Sequence, residues 1–66
     1  MKQKIGDRIA ELREAEQLTQ KQLADMISAK QQSIQRIEAN KHSVYFDKLE
    51  ELVNVMGYNI EFIKKK

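Results

Sequence analysis

The sequence predicts an all-α fold of four short helices closed by one short C-terminal β-strand. Three observations carry this expectation. Apolar residues recur at spacings of three and four in separate segments, which is the pattern of amphipathic helices. Proline is absent, and no repeat, low-complexity tract or flexible linker divides the chain. After Gly57 the apolar residues alternate, which is the period of a strand.

Ile5, Ile9 and Leu12 mark a first helix over roughly residues 3 to 15. Leu18 opens a short connection. Thr19 followed by Gln22 forms a capping-box pattern, so a second helix is expected from about residue 20 to 27, burying Leu23, Ala24 and Ile27. A third helix lies within AKQQSIQRIEANK and ends near Ala39, with Asn40 suited to the left-handed conformation that closes a helix. Its start has two candidate positions. Ser28 and Gln31 form a second capping-box pattern, which would begin the helix early and use Gln31 as a cap. Phe46, Leu49, Leu52, Val53 and Met56 define a fourth helix that stops at Gly57.

In YNIEFI, Tyr58, Ile60 and Phe62 share one face of an expected strand over residues 58 to 63. A lone strand cannot satisfy its own backbone groups, so pairing with the same strand of a second copy is expected, giving a homodimer. The competing expectation is a fifth short helix. The organisation is then a domain over residues 1–57 and a dimerisation strand with a basic tail over residues 58–66.

A chain of 66 residues is one small domain near the lower limit of a self-sufficient core. It has no cysteine, so disulfides and thiolate metal sites are excluded. No apolar run approaches the roughly 18 residues of a membrane span, and MKQKIGDR has no apolar signal core, so a cytoplasmic protein is expected. The net charge of +2 indicates little, but its distribution says more. Residues 7 to 16 and 46 to 61 are acidic, whereas residues 28 to 45 hold Lys30, Arg36 and Lys41 with Glu38 as the sole acid. His42 is the single histidine and has no accompanying ligand set, so no metal or cofactor is expected. No catalytic constellation is present either, and an enzyme is not expected.

The third segment surrounds Ile34 and Ile37 with Lys30, Gln31, Gln32, Ser33, Gln35 and Arg36. A helix needed only for packing has no use for so many hydrogen-bonding groups. Two short helices joined by a tight turn, the second rich in amides and bases, form a helix-turn-helix pattern that can place the second helix in the major groove of DNA. Glutamine matches the N6 and N7 edge of adenine, and lysine or arginine can reach O6 and N7 of guanine.

At these residues the chain resembles a known family. LTQKQLADMISAKQQSIQRIEANK is similar to the helix-turn-helix domain of the Cro and phage-repressor (XRE-type) superfamily, over about residues 5 to 57. The resemblance implies a lambda-repressor-like domain that binds double-stranded DNA. It implies that Gln20 contacts a phosphate and that Gln31, Gln32 and Ser33 lead the recognition helix, with Lys30 and Arg36 at base or phosphate positions; Gln35 is expected to face solvent or a DNA phosphate. Lys41 would touch the backbone, and Arg13 and Glu38 would form a buried ion pair. The turn carries Ser28 where the family usually has glycine. The tail GYNIEFIKKK is similar to that of HipB-like antitoxins, which implies a repressor that also holds a HipA-like kinase toxin. The alternatives are a free-standing phage-type repressor and an interaction module that does not read DNA.

Overall fold

The computed structural model describes residues 4–65 and contains helices α1 (Ile5–Ala15), α2 (Gln20–Met26), α3 (Gln31–Glu38) and α4 (Phe46–Val55). Residue 3, where the first helix was expected to begin, lies outside the described residues. One side chain from each helix meets at the centre. Ile9, Leu23, Ile34 and Leu52 are the largest fully buried side chains, and Ala24, Ile27 and Met56 complete the core cluster. Truncating any of the four to alanine would cost about 2–5 kcal/mol. In a domain this small, that is a large fraction of the available stability.

All four helices stop in the same way, and the sequence shows why at only two of them. Beyond each C-cap, one residue enters the left-handed region: Gln17 (φ 58°), Ser28 (φ 56°), Asn40 (φ 60°) and Gly57 (φ 94°). In each case the following N–H reaches back across the turn, as Leu18 does to Arg13, Ala29 to Ala24, Lys41 to Arg36 and Tyr58 to Val53. Asn40 and Gly57 suit this conformation, whereas Gln17 and Ser28 adopt it against a Cβ penalty.

The left-handed Ser28 settles where α3 begins. An N-cap residue has an extended backbone, so Ser28 cannot cap α3; it terminates α2 instead. Lys30 holds the cap position with an extended backbone and no side-chain cap bond, and Gln31 is the first residue of the helix. The early start and the use of Gln31 as a cap are therefore corrected. At α2 the capping box forms in full, with the Gln22 N–H donating to Thr19 Oγ1 at 3.0 Å and the Thr19 N–H donating to Gln22 Oε1 at 2.8 Å.

The expected strand does not form. Residues 58–65 carry neither strand nor a fifth helix, and among the described residues no strand occurs. A strand needs a ladder partner for its backbone groups, and within one chain there is none. The alternation has another outlet. Tyr58 and Ile60 turn partly inward while Asn59 and Glu61 stay exposed. The Tyr58 hydroxyl donates to Glu16 at 2.8 Å, which raises the phenol pKa above its ordinary value. Phe62 stacks on Phe46 with ring centroids 6.0 Å apart.

Candidate nucleic-acid interface

α3 packs on α2 and α1 through Ile34, which is fully buried, and Ile37, which is half-buried. With about 100° per residue, Gln32 and Arg36 lie some 160° and 200° around the helix from Ile34. They form the crest of the outward face, with Ser33 and Gln35 on its flanks. Lys30, Gln31, Gln32, Ser33, Gln35, Arg36 and Lys41 are all exposed. The structure therefore places Gln32, Ser33, Gln35 and Arg36 on the outward side of α3, with Lys30 and Gln31 at its start and Lys41 just past its end.

The remaining acid of this segment points the other way. Glu38 accepts from Arg13 Nε at 2.7 Å and from Arg13 Nη2 at 3.1 Å, and their side chains are only 7% and 13% exposed respectively. Arg13 Nη1 donates to the Leu18 carbonyl at 2.7 Å, so the guanidinium also closes the α1–α2 connection. Hydrogen bonding to Glu38 outweighs desolvation and holds the Arg13 pKa above its ordinary value. The planar fork of arginine suits a two-point contact that lysine could not reproduce.

Gln20 belongs to this network. Its Nε2 donates to Glu38 Oε1 at 3.0 Å, so one of the two side-chain N–H donors offered for a phosphate is engaged internally. With Glu38 turned inward and paired, the charged side chains exposed on α3 and just after it are cations. A segment of mixed charge in the sequence becomes a wholly cationic face in the fold.

Sequence reasoning missed two neighbours. Ser33, Arg36, Ile37, His42 and Ser43 line a cleft of about 200 Å³ where the loop after α3 folds back beside it. His42 and Ser43 are exposed there, next to Arg36. The only signal was their position just after the helix, since neither residue has a pattern of its own.

Sequence reasoning also missed Gly6. It is buried in the first turn of α1, where its N–H donates to Asn40 Oδ1 at 2.9 Å. A Cβ at Gly6 would overlap the Ile37 carbonyl oxygen and lie 2.5 Å from Asn40 Oδ1. Asn40 Nδ2 donates to Asp7 Oδ1 at 2.9 Å. The absence of a side chain at one residue thus permits α1 to touch the end of α3.

Among the described residues no group of histidine, aspartate or glutamate is arranged to hold a metal, and no helix is long and apolar enough to cross a membrane. The family model described as "Helix-turn-helix" matches residues 9–63, most of the chain. Comparison with curated proteins and with solved structures gives no match. A capped α2, a tight turn and an α3 that presents amides and cations outward are the working parts of that family. The chain belongs to the XRE-type helix-turn-helix family of Cro and phage repressors, a family of DNA-binding regulators.

Proposed function

We propose that this protein is a sequence-specific transcriptional repressor that binds a palindromic operator as a homodimer, with α3 of each copy in the major groove. The observation that carries the proposal is the sorting of charge and amides on α3. Seven polar or cationic residues from Lys30 to Lys41 are exposed, while the sole acid between them is consumed inside. Gln32 and Arg36, at the crest, are the base-reading pair. Gln31 and Ser33 flank them near the helix start. Lys30 and Lys41 contact phosphates at either end and fix register without reading sequence.

Two copies would place their third helices in successive major grooves about 34 Å apart. Of the residues assigned to the dimer contact, Tyr58 and Ile60 are partly covered by the chain's own body, so the support comes from Phe62 and its neighbour Ile63. Phe62 and Ile63 are 86% and 85% exposed, and among the described residues no backbone hydrogen bond ties residues 59–65 to the body. Pairing with a second copy would bury both the side chains and the free backbone groups. The toxin-binding reading rested on the resemblance of the tail alone, and no contact in the structure favours it, so the proposal stops at the operator-binding dimer.

The test is selection of bound sequences from a random duplex library at physiological salt. The expected result is a palindrome with half-sites one helical turn apart, lost when Gln31→Ala and Gln32→Ala are combined. No enrichment by folded, dimeric protein would defeat the proposal and shift attention to a protein partner. Deleting residues 58–66 tests the dimer separately. Sedimentation at micromolar concentration should then report a monomer, and a persisting dimer would refute tail pairing.

A further inference from the structure

We infer that Asn40 is a positioning residue for the DNA-reading helix, acting through a clasp on the first turn of α1; this rests on the reading of DNA by α3 proposed above. Two independent observations support it. The Asn40 side chain crosses to α1, accepting from the Gly6 N–H at 2.9 Å and donating to Asp7 at 2.9 Å. Gly6 has no room for a Cβ, because the Ile37 carbonyl and the Asn40 carboxamide occupy that space. The two helices therefore meet backbone to backbone at this point.

The first N–H groups of a helix have no partner within it, and Lys4, at the N-cap of α1, supplies no side-chain cap. Asn40 provides that cap from 34 residues away. It can do so because its own backbone is left-handed, at φ 60°, at the point where α3 ends. A glycine at the same position would end α3 equally well but could not reach α1.

Two fastenings then hold α3 against α1. Arg13 grips Glu38 in its last turn, and Asn40 grips Gly6 and Asp7 just beyond it. Together with the buried Ile34, these fastenings constrain the C-terminal end of α3. Base contacts require placement to within about 0.5 Å and 10–20°, so the loss of one fastening should appear first in sequence discrimination.

The experiment compares Asn40→Gly, Asn40→Asp and the exchange Asp7→Asn with Asn40→Asp in the full chain. Glycine keeps the left-handed turn and removes the carboxamide. Aspartate alone sets two carboxylates against each other, and the exchange restores one donor and one acceptor. We expect Asn40→Gly to remain folded, with random-duplex affinity and salt dependence unchanged. Its preference for the selected operator over random duplex should fall about tenfold, the worth of one well-made base contact. Residual dipolar couplings should show α3 rotated relative to α1, and the exchange should recover both preference and orientation relative to Asn40→Asp.

Unchanged preference and orientation in Asn40→Gly would overturn the inference and leave Asn40 as a helix stop. If that variant unfolds, failure of the exchange to improve on Asn40→Asp overturns it instead. If the wild-type protein prefers no sequence, the DNA reading fails. The orientation of α3 in the couplings then decides the clasp alone.

Discussion

Helices α3 and α4 are built alike and present opposite surfaces. Each buries one face against the common core, and each ends in a left-handed residue, Asn40 or Gly57. α3 spends its one acid internally and exposes amides and cations. α4 exposes Asp47, Glu50 and Glu51 around a shallow depression, with Lys48 bound to Glu51 at 3.1 Å. On α3 the interior removes the one acid from the exposed face, whereas α4 displays all the charges its segment carries. A chain of net charge +2 can carry a cationic face because its acids are placed elsewhere.

The largest expected effect tests that placement. Glu38→Ala strands a nearly buried Arg13 and frees the Gln20 amide, so it should cost about 3–5 kcal/mol in urea unfolding. Glu50→Ala on α4 removes an exposed acid and should stay within about 0.5 kcal/mol. Equal costs for the two variants would erase the distinction between an acid used inside and acids displayed outside.

Next come the contacts themselves. Gln32→Ala should lose about 1–3 kcal/mol on the selected operator and little on random duplex. Lys41→Ala should weaken both by similar factors and lower the slope of log affinity against log salt by about 0.9. Fluorescence anisotropy across a salt series separates the two behaviours. If Gln32→Ala behaved like Lys41→Ala, α3 would be an electrostatic anchor and not a reader.

The difference between the two helices was legible in the sequence only as far as it was local. The four helices follow from spacings of three and four, and the cap on α2 follows from Thr19 and Gln22. Those signals act within one or two turns of chain. The ion pair of Arg13 with Glu38 was available only through resemblance, because residues 25 positions apart leave no periodic trace. The clasp of Asn40 on Gly6 was not visible at all. A glycine in the first turn of a helix reads as a weak helix former, and its meaning depends on what approaches from outside. The tail misled in a different way. Alternation at Tyr58, Ile60 and Phe62 records which side chains seek cover, but a strand also requires a neighbour, and periodicity does not supply one.

The smallest expected effect concerns how the chain enters α3 and leaves α4. The turn before α3 rests on Ser28 at φ 56°, where an L side chain is disfavoured, while α4 exits through Gly57 at φ 94°. Ser28→Gly should therefore stabilise the fold by less than about 1 kcal/mol, since the relief of the left-handed penalty is partly offset by greater freedom in the unfolded chain. Operator preference should not change, because α3 already begins at Gln31 and not at Ser28. Gly57→Ser is the reciprocal change. A Cβ there meets nothing within 4 Å, so any loss in thermal unfolding reports backbone strain without a steric term. Opposite signs of similar size would establish that the chain accepts a small strain at the turn into α3 and avoids it at the exit from α4. A destabilising Ser28→Gly would mean that the serine side chain itself supports the turn, and the two helix ends would then differ in kind.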